Sequence, residues 1–133
     1  MNYNELSEEE QITMISENGY FIRRIDNPSE AVQMVAVRSI GVAIQHIKKP
    51  SEAVQMAAVL QTPWAIGYIK KPSETVQLVA VQKYGIVIKH INDPPYSVQL
   101  AAILQNTASI CFIKNPSDEI LAYTKLLKLG QTR

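Results

Sequence analysis

The sequence predicts an all-α fold, a short α-solenoid of 22-residue helix–turn–helix repeats with N- and C-terminal capping units. Two observations predict it. Prolines recur at Pro28, Pro50, Pro72, Pro94 and Pro116, one every 22 residues, and self-similarity at such a period marks a stacked repeat. Each proline also opens the same pattern: PSEAVQMVAVRSIGVAIQHIKK, PSEAVQMAAVLQTPWAIGYIKK, PSETVQLVAVQKYGIVIKHIND and PPYSVQLAAILQNTASICFIKN. These four full repeats fill residues 28–115. A degenerate unit at 6–27 precedes them, with Gln11, Gly19 and Ile25 in phase. The stretch 116–133 breaks the pattern and reads as a C-terminal capping helix. The whole of 1–133 reads as a single repeat domain, since the end units must close an otherwise open stack.

Each unit opens with a helix start. Asn27 or Lys49 is expected as N-cap, with proline at the first helical position, where its missing N–H costs nothing. Glu30 then falls at the third helical position and completes a capping-box-like pair. The helix is expected to run about three turns to Gly19, Gly41 or Gly85, each read as a C′ residue in the left-handed region. Val32, Met34, Val35, Ala36 and Val37 leave little polar face, which predicts a central, buried helix. A second, shorter helix follows, for example Val42 to Ile47. There Ile44 and Ile47 recur as Ile66/Ile69, Ile88/Ile91 and Ile110/Ile113, an i, i+3 stripe facing inward.

One polar column interrupts the apolar segment: Gln11, Gln33, Gln55, Gln77 and Gln99. A buried amide must be hydrogen-bonded, so the column is expected to be a structural ladder bonded to backbone of an adjacent turn. A polar groove for a ligand is the alternative. A 44-residue superperiod overlies the repeat. The units from Pro28 and Pro72 share Gly41/Gly85 and His46/His90, whereas those from Pro50 and Pro94 share Leu60/Leu104 and Gln61/Gln105.

Thirteen basic and twelve acidic residues leave a net charge of +1. Near-neutrality argues against a strongly electrostatic nucleic-acid binder. The single Cys111 excludes an internal disulfide framework and fits a reducing compartment. The opening MNYNELSEEE is no secretory signal, and no apolar run reaches membrane-spanning length. The expectation is a cytoplasmic protein with no membrane contact. No catalytic motif, metal cluster or nucleotide loop is present, so no enzyme activity and no cofactor are expected.

The pattern P-S-E-x-V-Q-L-x-A-V, then glycine, then a short helix ending I-K-N, resembles the tandem helical repeat family catalogued as domain of unknown function 4116. The resemblance covers Leu6 to Asn115. Pro63, Thr107 and the pair Pro95–Tyr96 depart from the pattern. Members occur in phages, large DNA viruses, some bacteria and protists. The resemblance implies a helical scaffold without catalytic residues. It is compatible with a phage or bacterial factor, active in the host cytoplasm, that binds and inhibits a host complex such as a defence system.

In a solenoid the variable columns face outward. In the short helices these are Tyr20, Arg23, Arg24; Val42, Gln45, His46; Trp64, Gly67, Tyr68; Ile86, Lys89, His90; Ala108, Cys111, Phe112. Arg23, Arg24, His46, Trp64, Tyr68, Lys89, His90 and Phe112 are the candidate partner-binding residues, because aromatic and basic side chains dominate binding hot spots. Packing of these rings against neighbouring units is the competing reading, and Trp64 is expected to fill the gap left by the altered turn at Pro63. His46 and His90 stand too far apart to share a metal, given helix spacings of about 8–10 Å. The pairs Lys48–Lys49 and Lys70–Lys71 are expected to form a solvated mixed-charge ridge with Glu30, Glu52 and Glu74.

Three roles follow. The first is a non-catalytic scaffold whose partner is another protein. The second is a nucleic-acid-binding solenoid, which the charge balance disfavours. The third is self-assembly: Leu121, Leu126, Leu127 and Leu129 leave open a homodimer through the C-terminal helix.

Overall fold

The computed structural model describes residues 1–131. Among them the chain is all-helical, with no strand. A 3-10 turn, Tyr3–Glu5, leads into five α/3-10 units. Their α-helices are α1 (Glu8–Glu17), α2 (Glu30–Ser39), α3 (Glu52–Gln61), α4 (Glu74–Lys83) and α5 (Tyr96–Gln105). Their 3-10 helices are Gly19–Arg24, Gly41–His46, Pro63–Tyr68, Gly85–His90 and Thr107–Phe112. A longer helix, α6 (Asp118–Gln131), closes the chain; the last two residues of the expected cap, 132 and 133, lie outside the described residues. Each α-helix contacts the next, and so does each 3-10 helix. The result is a solenoid of two layers, α on one side and 3-10 on the other.

The helix starts differ from expectation. Ser7, Ser29, Ser51 and Ser73 are the N-caps, and the prolines lie one residue outside the helix. Each serine Oγ accepts the backbone N–H three residues on, as at Val54 (3.3 Å). A full capping box forms only in α1, between Ser7 and Glu10. The glutamate at the first helical position of α1 and of α2 accepts a hydrogen bond from the next unit's serine: Ser51 Oγ donates to Glu30 Oε1 at 2.7 Å, and Ser29 donates likewise to Glu8. In α5 Pro95 replaces the serine and no side chain caps the helix. Ser97 takes over the tether to Glu74.

The glycines also differ. No glycine has positive φ; the only described residues with positive φ are Asp93 and Asn115, each just before a proline. The α-helices end on extended residues such as Ile40 (φ −140°), and the 3-10 helix begins at once. Glycine is needed there because the next unit's backbone comes close. A Cβ on Gly41 would sit 2.6 Å from the Ala58 carbonyl oxygen, and one on Gly19 would sit 2.8 Å from that of Ala36. Gly85 meets Ala102 in the same way.

This approach explains the 44-residue superperiod. The Gly41 N–H donates to Gln61 Oε1 of the following unit (2.8 Å), and the Gly85 N–H to Gln105 Oε1 (2.6 Å). At the equivalent position Pro63 has no N–H to satisfy, and the following unit carries Lys83 where Gln61 and Gln105 stand.

The core runs between the layers. Val32, Ala36 and Val37, with their counterparts in α3 and α4, are fully buried. The α-helices are not buried all round: Met34 and Val35 are half-buried, and Ala31 and Arg38 are exposed. From the 3-10 layer come Ile22/Ile25, Ile44/Ile47, Ile66/Ile69 and Ile88/Ile91, each at most 8% exposed. Each buried isoleucine contributes about 1.5–3 kcal/mol. Ile113 is buried as expected; Ile110 is only half-buried. In its unit Ser109 is buried and donates to the Ala102 carbonyl. Ile120 and Thr124 seat α6 on the stack.

Candidate binding groove

The inward isoleucines fix the rotation of every 3-10 helix, so the last residues of each point outward at one edge of the stack. There, successive units leave open hollows. Between units one and two a hollow of about 500 Å³ is lined by Arg23, Gln33, His46 and Lys49. The next, about 850 Å³, is lined by His46, Gln55, Tyr68 and Lys71. A third of about 510 Å³ has Tyr68, Lys71, Gln77 and His90. The fourth, about 520 Å³, has Lys89, Gln99, Phe112 and Lys114. Neighbouring hollows share lining residues: Lys48 and Lys49, then Lys70 and Lys71, then Ile91 and Asn92. Together they form one groove along the solenoid.

The glutamine column lies along its floor. Gln33, Gln55, Gln77 and Gln99 each donate from Nε2 to the carbonyl of their own unit's proline, at 3.0–3.1 Å. The bond is therefore made within the unit, five residues back. Gln11, with no proline before it, donates to the Tyr3 carbonyl (3.0 Å). Gln77 is 9% exposed, and its Oε1 is buried without a hydrogen-bond partner.

The walls are rings and cations. His46, Tyr68, His90 and Phe112 share one repeat column and all are exposed. Three of them, His46, His90 and Phe112, meet the unit before them. His46 meets Tyr20 edge-on, with centroids 6.1 Å apart. His90 covers Gly67, whose added Cβ would lie 3.4 Å from its own. Lys89 Nζ stands 5.6 Å from the Phe112 ring centre, a cation–π contact. The lysine pairs form no mixed-charge ridge: among the described residues Lys48, Lys49, Lys70 and Lys71 have no ion pair. Glu30 and Glu74 are taken by the serine tethers instead.

Of the candidate residues, Arg23, His46, Tyr68, Lys89, His90 and Phe112 come together along the groove. Arg24 and Trp64 do not. The Arg24 guanidinium lies 5.6 Å from the Tyr3 ring centre, at the N-terminal end. Trp64 is not buried: it is 47% exposed and rests one face on Tyr84, with centroids 4.8 Å apart. The unpaired lysines were missed as site residues, although the recurrence of a lysine pair before Pro50 and Pro72 was a signal.

Away from the groove, α6 exposes Leu121, Tyr123, Leu126 and Leu129, with Leu126 at 66%. Tyr96 links α5 to this end: partial burial raises its phenol above the usual pKa, and its hydrogen bond to Glu119 adds to the shift. Cys111 is a free, exposed thiol. Among the described residues no cluster of His, Cys, Asp or Glu could hold a metal, and no helix is long and apolar enough to cross a membrane. No protein-family model, curated protein or solved structure matches the chain.

Proposed function

We propose that this protein is a non-catalytic scaffold that binds another protein along the groove. The observation that carries the reading is the continuity of the groove. Four adjoining hollows repeat one wall chemistry, a ring beside lysines that have no ion pair among the described residues. Rings and cations supply most of the binding energy at interfaces, and a rigid stack holds them at fixed spacing. Membership of the family catalogued as domain of unknown function 4116 is part of the proposal. So is a role as a phage or bacterial factor that engages a host complex, such as a defence system, in the host cytoplasm. The test is capture from native lysate by tagged protein, with and without nuclease. The double variant Tyr68→Ala/His90→Ala should lose a nuclease-resistant partner that the wild type retains. Unchanged capture would remove the groove from the account, and capture that vanishes with nuclease would favour nucleic acid.

One observation favours a second reading, a homodimer through α6. The exposed leucines there form an unusually apolar end face, and such faces mark association sites. Light scattering after size exclusion should then give twice the monomer mass, reverting to the monomer in Leu126→Glu.

A further inference from the structure

We propose that the groove holds an acidic polypeptide segment in extended conformation, and that Gln77 Oε1 accepts a main-chain N–H from it. This rests on the scaffold reading and names the chemistry of its partner.

Three observations converge. The first is the orphan acceptor. Gln77 is nine-tenths buried, its Nε2 is committed to the Pro72 carbonyl at 3.0 Å, and its Oε1 has no partner. Buried polar atoms are paired in the great majority of cases, and this one belongs to a residue lining the central hollow. The walls of that hollow include the exposed side chains of Tyr68, Lys70, Lys71 and His90. Such side chains can move aside as a chain enters.

The second is charge. Lysines 48, 49, 70 and 71 line the two middle hollows with no internal counter-ion. The only carboxylates lining the groove are Asp26 at one end and Asp93 at the other. The middle of the groove is therefore complementary to an anion.

The third is spacing. Packed helices lie about 8–10 Å apart, and a polyproline-II chain advances about 9.3 Å in three residues. An extended segment thus brings an equivalent main-chain N–H to each unit's glutamine every third residue. Gln33, Gln55 and Gln99 are bonded as Gln77 is, so their amides are oriented alike. A phosphodiester backbone matches the lysines but carries no N–H for these acceptors. That separates a peptide from a nucleic acid.

The experiment is fluorescence anisotropy of the full chain with labelled oligo-glutamate of about twelve residues, three for each hollow. The same peptide with every backbone nitrogen methylated keeps its charge and lacks donors. Oligothymidylate of similar charge is the third probe. Expected: oligo-glutamate binds, and raising salt from about 50 to about 300 mM weakens it. The methylated peptide and the oligothymidylate each bind at least about tenfold more weakly. Lys70→Glu/Lys71→Glu, two exposed changes with a thermal melt as folding control, costs a further factor of about ten or more. Gln77→Leu reproduces part of the methylation loss on the unmodified peptide and adds less on the methylated one than on the unmodified one. Equal binding of the methylated peptide, equal or tighter binding of the oligothymidylate, or no binding of oligo-glutamate overturns the proposal. If oligo-glutamate fails while a lysate protein is still captured through Tyr68 and His90, this inference falls and the scaffold reading stands. If both fail, both fall.

Discussion

Replacing Gly41 by alanine and, separately, Gly67 by alanine isolates the force that sets the spacing of the stack. Both glycines have negative φ, so neither substitution strains the backbone. At Gly41 the new Cβ would lie 2.6 Å from the Ala58 carbonyl oxygen and 2.9 Å from Gln61 Oε1. The two units must separate, which costs about 1–3 kcal/mol as overpacking. The bond from the Gly41 N–H to Gln61, now 2.8 Å, stretches or breaks and adds about 0.5–1.5 kcal/mol. At about 3–4 °C per kcal/mol for a chain of this size, the melting temperature should fall by roughly 5–18 °C. At Gly67 the added Cβ meets only His90, at 3.4 Å. The reduced entropy of the unfolded chain then stabilises by about 0.4–1 kcal/mol. Thermal melts by circular dichroism at 222 nm read both. Equal destabilisation by the two alanines, or a harmless Gly41→Ala, would refute the close-approach argument.

Other expectations follow from the same geometry. Ser51→Ala removes both the cap on α3 and the tether to Glu30 and should cost about 1–2 kcal/mol; Ser97→Ala removes only a tether and should cost less, by urea unfolding. Gln105→Leu leaves the Gly85 N–H without its acceptor and should cost about 1–3 kcal/mol, with hydrogen exchange at Gly85 rising accordingly. Tyr96 has a raised pKa in the fold, so it contributes stability below pH 10 that is lost as pH rises through the raised value. Tyr96→Phe should remove that limb from the alkaline stability curve, and an unaltered curve would contradict the link to Glu119.

Much of the fold was legible because prolines and glycines punctuate it at a fixed interval. The caps were misread by two residues, yet the sequence held the signal. The residue before proline varies (Asn27, Lys49, Lys71, Asp93, Asn115), whereas serine follows proline in four of the five starts. Lysine cannot cap a helix and serine can. The glycines were misread for a different reason: the need for glycine comes from the Ala58 and Ala102 carbonyls of the next unit, and sequence does not show how closely units approach. The pairing of Gly41 with Gln61, and of Gly85 with Gln105, was visible as an alternation. Its cause appeared only when neighbouring units were placed together.

The groove was half legible. The ring column was readable because it recurs at 22 residues among variable neighbours. The lysines pair by sequence with Glu30, Glu52 and Glu74, but Glu30 and Glu74 serve serines of the following unit. Trp64 was expected to be buried because large aromatics usually are. Instead it lies over Tyr84, exposed at the second position of the 3-10 helix that Pro63 opens.

The most direct test of the groove as the binding face is photo-crosslinking in the cells that make the protein. A benzophenone amino acid replaces Tyr68 in one variant and Tyr123 of α6 in another. The account predicts a discrete, nuclease-resistant protein adduct from position 68 that position 123 does not give. An adduct from position 123 alone, or none from position 68 while the partner is still captured, would place binding elsewhere and contradict it.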